Sequence, residues 1–582
     1  MVIRLGEMLL QRKLITPEQL NQAFKEKQKS GGLLGKVLIK LGYVSEDQLL
    51  AALAEQLKIP IVKLKETKVE LAALKMLPAK FAWYYKIIPL KTAQNKLVVA
   101  TADPLRSLTD VEMLLGHPLS PVLAKEEEIV AALDKYYGVG SETIEKIIEQ
   151  SPVAVDQQLQ REAGKIEDIE ELAEDASVVK LVNQIIVDAH KMRATDIHLE
   201  PYRDQVSLRY RVDGVLQEAT VSADIIRLFP AIVSRIKIMS KLDIVERRLP
   251  QDGRAVVKIG REELDLRISI IPTRHGEGLA IRILPTKMLF SLERLGLESD
   301  DLKILQELVT RPNGIIFVTG PTGSGKTTTL YACLNTVKSV TNKIITIEDP
   351  IEYELAGISQ IQVTPEIGFS FAQGLRSVLR HDPDIMMVGE VRDFETAELA
   401  IRIALTGHLI FSTLHTNDAA GAVARLLDIG IEPFLVASSV QAFIAQRLVR
   451  VICPECKVED HSLDPQLKEQ IMKEISQFRS LCRDAEEKAL FALSRSSDLR
   501  FYKGRGCRSC NSTGFKQRTA IYEMLVVNKA IRQLILTRAS ADKIREQAIS
   551  SGMKTLRLSG WKKILEGITT PDEIMRVTQT EE

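Results

Sequence analysis

Gly314 to Thr329 reads G-I-I-F-V-T-G-P-T-G-S-G-K-T-T-T. Ile315 to Val318 is a short apolar run suited to a buried strand, and a helix-forming segment follows the glycines. In that strand–loop–helix setting, G-x-x-x-x-G-K-[ST] becomes a phosphate cradle. It runs through Gly320, Pro321, Thr322, Gly323, Ser324, Gly325, Lys326, Thr327 and Thr328. The three glycines let backbone N–H groups turn in on a polyphosphate with no Cβ in the way. The following helix points its positive end at the same anion. Lys326 can reach the β- and γ-phosphates, and the Thr327 hydroxyl can ligate Mg²⁺. A glycine-rich turn that binds nothing would leave the strand, the loop and the Lys-Thr pair without a common reason.

Phosphoryl transfer to water also needs a group that orients or deprotonates the water, and positive charge at the developing oxyanion. Three more apolar runs, 344–347, 385–388 and 409–411, end in polar residues. The first ends in Glu348-Asp349-Pro350-Ile351-Glu352. The second ends in Gly389-Glu390-Val391-Arg392-Asp393. The third is bracketed by His408 and His415. Glu390 follows four apolar residues, the setting of a water-activating acid. Glu348 is its rival, and either could hold Mg²⁺ through water. Gly389 stands where many such motors carry a metal-ligating Asp, which leaves the two roles open. His408 and His415 could sense a γ-phosphate, or be satisfied structural histidines. Arg376 and Arg392 lie near these runs, and Arg267 and Arg282 lie before them. Each could supply transition-state charge or form an ordinary surface ion pair.

Cys453-Pro-Glu-Cys456 and Cys507-Arg-Ser-Cys510 are two C-x-x-C knuckles. Four thiolates in that pattern suit tetrahedral structural Zn²⁺. The 50 residues between the knuckles exceed the usual spacing and read as a charged helical insertion, 467–493, that leaves them free to meet. Four reduced thiols without metal are the alternative. Cys333 and Cys482 stand alone and read as packing residues.

The elements that must position these groups come from a chain of 582 residues, long enough for about three or four domains. Hydrophobic content of 45% and charged content of 27% are those of a globular protein, and a net charge of +1 gives no basic excess for nucleic acid. No uncharged run approaches the ~20 residues of a membrane span. Charges at Arg4 and Glu7 interrupt any signal-peptide core, so the expected location is cytoplasmic.

An internal repeat opens the chain. Arg4–Lys27 and Leu33–Gln56 align Gly6 with Gly35, Leu9 with Leu38, Ile15 with Val44 and Leu20 with Leu49. Each unit reads as two short helices, the second starting at a capping box after Thr16 or Ser45. A mixed segment follows, with a strand at 96–100 and a helix at 126–137. Residues 141–177 are acidic and read as a flexible linker. From 178 to 288 a helix at 178–191 precedes strands at 196–200, 206–211, 255–259, 264–271 and 279–284, with a hairpin turn at 212–215. From 289 to 582 the four continuous apolar runs suit a parallel sheet covered on both faces. Ligands bind such sheets at the carboxyl ends of the strands, so the polar run ends are expected to meet.

From Val178 to Thr578 the motifs ATDIHLEP, LPQDGR, VTGPTGSGKTTTLYA, IEDPIEY, GLRSVLRHDPDIMMVGEVRD, LTGHLIFSTLHTNDA and AQRLVRVICPEC resemble the ATPases of type IV pilus assembly and type II secretion (PilB/GspE-like). The resemblance implies an α/β multidomain chain. A RecA-like P-loop motor domain, 289–582, would carry the zinc-binding insertion 453–510 and C-terminal helices. A PAS-like α+β domain, 178–288, would precede it, and ATP with Mg²⁺ would bind between the two. It further implies catalytic roles for Lys326, Glu348, Glu390, His408, His415, Arg267, Arg282, Arg376 and Arg392, and zinc on Cys453, Cys456, Cys507 and Cys510. A homohexamer would work at the inner-membrane face, with a membrane platform protein and a cytoplasmic ring protein and without nucleic acid. The zinc tetrad, the long N-terminus and the C-terminal motifs look like an assembly ATPase rather than a retraction ATPase. Pilus assembly is favoured over type II secretion.

Residues 1–140 resemble the MshE-type N-terminal domain, a helical-repeat/α+β module that binds cyclic di-GMP. Two 24-residue motifs separated by five residues carry the likeness. Arg4, Leu5, Gly6, Leu9 and Leu20 match in the first motif, with Leu34, Gly35, Leu38, Leu49 and Gln56 in the second. Lys27 and Leu33 depart from the pattern. A docking module is the alternative. Two other readings remain open for the whole chain: a DNA-translocating motor on the same core, and a nucleotide-binding switch that does not hydrolyse.

Overall fold

The two N-terminal repeats form two helix pairs, Leu5–Gln11 with Pro17–Ser30 and Leu34–Lys40 with Glu46–Leu57. They open a computed structural model that describes residues 5–30, 34–64, 67–77, 81–82, 85–93, 96–103, 111–112, 115–137, 167–168, 178–222, 224–285, 290–478 and 500–578. The chain divides into two compact units, Met1–Pro285 and Thr286–Glu582.

The capping boxes form reciprocally. Gln19 N donates to Thr16 Oγ1 at 3.2 Å while Thr16 N donates to Gln19 Oε1 at 2.9 Å. Ser45 and Gln48 repeat this at 3.3 and 2.9 Å. Both pairs turn at equivalent left-handed residues, Lys13 (φ 56°) and Gly42 (φ 72°). Leu9, Ile15, Leu38 and Val44 share one small core between the pairs. Next comes a three-stranded sheet of β1 (Ile87–Ala93), β2 (Lys96–Thr101) and β3 (Leu119–Leu123), packed with the helix Glu126–Tyr137 around a separate core.

Of the expected linker 141–177, only 167–168 are described. They form a short strand, β4 (Glu167–Asp168), parallel to residues 257–258. The larger sheet of this unit adds β5 (Ala194–Pro201), β6 (Val206–Val212), β7 (Val215–Ala219), β8 (Gln251–Ile259), β9 (Glu262–Thr273) and β10 (Gly276–Pro285). The strand order is β4-β8-β9-β10-β5-β6-β7. Alternation decides its two faces. Ile197, Leu208, Leu266 and Ile281 face the helices Val178–Lys191 and Ile225–Met239 and form the core. The alternate residues, Arg267 and Arg282 among them, occupy the other face.

The second unit is built on β11 (Gly314–Thr319), β12 (Ile344–Glu348), β13 (Ser359–Gln362), β14 (Ile385–Val388), β15 (Leu409–Leu414), β16 (Val440–Ile452) and β19 (Phe515–Val526). A hairpin, β17 (Lys457–Glu459) with β18 (Tyr502–Gly504), lies between β16 and β19 in sequence. The seven-stranded order is β13-β12-β14-β15-β11-β16-β19, parallel except for the final antiparallel pair. The four expected runs are the four central parallel strands. Each is apolar on both sides because helices cover both faces: Ile315 and Phe317 enter one core, Ile316 and Val318 the other. The sequence reading assigned no strand to β16 or β19. The expected insertion contains a helix, Pro465–Phe478, while 479–499, including Cys482, lie outside the described residues.

Candidate active site and cysteine cluster

Gly320 has φ 147° and Gly325 has φ 90°. A Cβ at Gly320 would stand 2.7 Å from Gln446 O, and one at Gly325 would stand 2.8 Å from Gln446 Nε2. The loop therefore needs glycine twice over, for its backbone angles and for its close approach to β16. Gly325 caps the helix Lys326–Val337, whose first-turn N–H groups open onto the loop. Thr327 and Thr328 sit half-buried in that turn. Lys326 Nζ folds back over the loop, donating to Gly320 O at 2.8 Å and Pro321 O at 3.1 Å. Burial lowers its pKa from 10.5 to about 8, with nearby Glu390 opposing the drop and Arg447 adding to it. Ser324 Oγ is buried without a hydrogen-bond partner among the described residues. An orphan hydroxyl, a Cβ-free cradle and a partly desolvated ammonium fit a polyphosphate.

β14 and β15 bring the next groups to the same end of the sheet. Glu390 Oε1 lies 2.6 Å from Arg392 Nη2, and Oε2 lies 3.2 Å from His415 Nε2. Thr413 Oγ1 donates to Gly389 O at 2.7 Å and Val391 N to Thr413 O at 3.0 Å, so the two strand ends are stitched together. A Cβ at Gly389 would press to 3.3 Å from Ile347 O, which is a reason for glycine at the place where many such motors carry an Asp.

Glu348 belongs to a different environment. It is 3% exposed and turned into the sheet. Its carboxylate accepts from the Tyr331 hydroxyl, from Thr346 Oγ1 at 2.6 Å and from Gln360 Nε2 at 3.0 Å. Burial beside Glu348 raises the Tyr331 pKa, so the phenol stays a donor. Of the two rival carboxylates, Glu390 is the one that shares an electrostatic environment with Lys326.

His408 does not join the cluster, contrary to expectation. It starts β15, with Nδ1 3.2 Å from both Ile403 O and Thr406 Oγ1. Residues 409–414 separate it from His415, which is roughly 20 Å of extended chain. Arg376 pairs with Glu395 on the exposed surface. In the first unit, Arg282 Nε donates to Asp196 Oδ1 at 3.1 Å, and Arg267 is its directly paired neighbour on β9.

The cysteines do converge. β16 and β19 pair up to Ile452 and Phe515, so Cys453 and the Cys507–Cys510 turn are neighbours despite their separation in sequence. Cys453 N donates to Gly514 O at 2.9 Å. The sulfurs lie within 4.8 Å of one another, with Cys453–Cys507 and Cys456–Cys510 both at 3.8 Å. A tetrahedron with Zn–S arms of about 2.3 Å has edges of about 3.8 Å, so the donor set fits zinc. Burial raises the Cys510 thiol, but N–H groups of Cys507 and Gly514 bring it down to about 7.

The family model for Type II/IV secretion system protein matches residues 171–576. The chain belongs to this family. It is a P-loop ATPase of the secretion and pilus motors. A second family, the MshEN domain, matches residues 57–143. A type IV pilus assembly ATPase PilB from Myxococcus xanthus is 41% identical over 98% of this chain and 98% of its own length. A type II secretion system protein E from Xanthomonas campestris pv. campestris is 39% identical over 99% and 98%. A solved structure of the pilus retraction motor PilT with bound ADP resembles it at 27% identity, covering 68% of this chain and 96% of that one, with a TM-score of 0.44.

In this secretion-family ATPase, sequence reasoning missed two residues that touch the site. Tyr331 lies within the TLYA that follows the phosphate loop, and only its hydroxyl facing a carboxylate marks it. Gln446 backs the loop from β16 and accepts from Thr329 Oγ1 at 2.7 Å. Its signal was available in AQRLVR, a polar pair inside an otherwise apolar strand.

The MshEN match begins where the two repeat motifs end. Within the repeats, Gly6, Leu9 and Leu38 are buried and Leu34 is half-buried. Gln56 Oε1 is buried without a partner among the described residues. Arg4 lies outside the described residues, as do the surroundings of Leu5 and Gly35. Among the described residues, no helix is long and apolar enough to cross a membrane.

Proposed function

We propose that this ATPase is the assembly motor of a type IV pilus, a homohexamer that turns ATP hydrolysis into pilin polymerisation through an inner-membrane platform protein and a cytoplasmic ring protein. In this reading Glu390 activates the attacking water. Lys326 and the loop amides hold the β- and γ-phosphates, and Thr327 ligates Mg²⁺. His415 and Arg392 orient Glu390 and respond to the γ-phosphate. Arg267 and Arg282, from a PAS-like domain, supply charge to the phosphates, with Arg376 as a further candidate. Glu348 is a structural carboxylate that fixes the end of β12. The observation that carries the chemistry is the Glu390 carboxylate, held by Arg392 and His415 beside Lys326.

Zinc on Cys453, Cys456, Cys507 and Cys510 would clamp the ends of β16 and β19 and take no part in hydrolysis. The N-terminal repeats are proposed to bind cyclic di-GMP. The unpartnered Gln56 Oε1 supports this, since a guanine N–H would satisfy it.

Support for the pilus branch comes from the long N-terminal region, the cysteine tetrad and the full-length likeness to PilB. The protein E relative gives type II secretion nearly equal standing as the second reading. Deleting the protein in its own cell tests the choice. Loss of surface pili with export of folded proteins intact is expected; loss of export with pili intact overturns it.

A further inference from the structure

Gln446 and Arg447 are consecutive on β16, so their side chains leave opposite faces of the sheet. Ile444 lies on the face of Gln446, and Ala445 and Val449 lie on that of Arg447. Both polar residues reach the phosphate loop. Gln446 meets it on one side, beside Gly325 and Thr329. Arg447 meets it on the other. A Cβ at Gly320 would stand 3.1 Å from Arg447 Nη1, so the guanidinium lies against the first glycine of the loop. The residue is 7% exposed. A charge so buried is costly unless its donors find acceptors. Arg447 Nη1 donates to Gln446 O at 3.1 Å, and Nη2 donates to Asn417 O at 2.8 Å.

The second acceptor ties the arginine to the chemistry. Asn417 lies two residues past His415, whose ring faces Glu390 Oε2 at 3.2 Å. β15 ends at Leu414, so Asn417 lies beyond that strand. Thr416, between them, is fastened to the loop as well. Its N–H donates to Thr319 Oγ1 at 3.0 Å, and the two hydroxyls lie 2.6 Å apart. Thr319 is the last residue of β11 and immediately precedes Gly320. The turn that carries His415 is therefore joined to the loop at two points, Thr319 before Gly320 and Arg447 beside it. Two fastenings fix a direction as well as a distance. A planar guanidinium can bridge two carbonyls in a set geometry, whereas an ammonium is a single point.

We propose that Arg447 is a positioning residue for hydrolysis. It locks the His415 turn to the phosphate loop, so that the imidazole keeps Glu390 aimed at the attacking water while nucleotide fills the loop. It acts through His415 and not on the nucleotide. The inference rests on the proposed role of His415 in orienting Glu390.

The test uses the full-length protein. Arg447→Lys keeps the charge but offers one nitrogen to two carbonyls. Its kcat is expected to fall about tenfold to a hundredfold, the cost of a misplacement of about 1 Å, with KM for ATP within about threefold of the parent. A parental kcat overturns the inference, and so does a KM that rises in step with the loss of kcat. A double-mutant cycle with His415→Ala reads the route. If Arg447 acts through His415, Arg447→Lys costs little more in the His415→Ala background. Losses that multiply overturn the inference and leave the role of His415 standing. His415→Ala at the parental rate overturns the role of His415, and the inference with it. Hydrogen exchange gives a readout without turnover. With Mg²⁺ and the non-hydrolysable analogue AMP-PNP at saturation, the amides of residues 415–418 are expected to exchange several-fold faster in Arg447→Lys than in the parent. Equal exchange overturns the inference. Failure of both Arg447→Lys and Arg447→Gln to fold also overturns it, since the arginine would then serve the core rather than the reaction.

Discussion

Arg392 Nη2 lies 2.6 Å from Glu390 Oε1, a contact across a single intervening residue just beyond β14. The other carboxylate oxygen faces His415 at 3.2 Å. A carboxylate held at both oxygens cannot swing away, so its position relative to Lys326 is set before substrate arrives. Glu390→Gln keeps the shape and removes the basicity. Its turnover is expected to fall by about 10²–10⁴-fold while ATP stays bound. Phosphate release and the lifetime of bound nucleotide, measured side by side, check this. Hydrolysis at the parental rate would return the water-activating role to Glu348.

Lys326 gives the site a pH dependence with a definite sign. Its pKa falls from 10.5 to about 8 through burial. The unfolded chain binds more protons than the native one between those values, so the stability of the nucleotide-free protein is expected to rise with pH there. Phosphate binding favours the ammonium form and draws a proton in. Apparent ATP affinity is therefore expected to weaken as pH climbs through about 8, by up to about tenfold per unit. Calorimetry at pH 8.5 in two buffers of different ionisation heat reads the proton uptake directly; equal apparent heats would contradict it.

The sequence made the motor legible because its signals were local. Continuous apolar runs marked β11, β12, β14 and β15, and each ended in the polar residues that the parallel topology then collects. What it could not display was orientation at a strand end. Glu348 and Glu390 both close an apolar run, yet Glu348 ends inside β12 and points into the sheet. Glu390 lies two residues beyond β14, where the chain has left the ladder. His408 and His415 look equivalent around β15 until the strand's length puts them at opposite ends. β16 escaped because AFIAQRLVR mixes apolar and charged residues in neither a two-residue nor a 3.6-residue period. The contacts of Arg447 were hidden for a different reason, since which loop a strand residue reaches is a property of the assembled sheet.

Tyr331→Phe isolates the structural share of Glu348. The ring is fully buried and meets Phe290 edge-on at 5.2 Å, so the phenyl packing survives the change. The lost hydroxyl leaves Glu348 with Thr346 and Gln360 as donors. A stability cost of about 1–2 kcal/mol is expected, visible as a lower melting temperature. Catalysis is expected to change far less than in Glu390→Gln. A Tyr331→Phe protein that melts as the parent does, but has lost turnover, would place Glu348 in the chemistry after all.

The cysteine cluster joins the far end of the strand that backs the phosphate loop. Gln446 touches the loop from β16, and Cys453 follows the last residue of the same strand. β19, beside it, is approached through Cys507 and Cys510. Without a central ion, the four thiols, three of whose pairs lie at 3.7–3.8 Å, would add only weak S–H contacts to the backbone bonds Cys453 N to Gly514 O and Arg505 N to Cys456 O that join those ends. One zinc per chain is therefore expected by elemental analysis, and Cys510→Ser is expected to lose it. Removing the metal is expected to cost about 3 kcal/mol or more, a drop of about 6–12 °C in the motor unit's melting temperature. Because Cys453 lies just past the end of β16, roughly 20 Å of extended strand beyond Gln446, kcat at temperatures well below melting is expected to stay within about twofold of the parent. A zinc-free protein that melts at the parental temperature would mean that β16 and β19 are secured by their own ladder. An intact melt with abolished turnover would instead mean that the cluster communicates with the loop along β16.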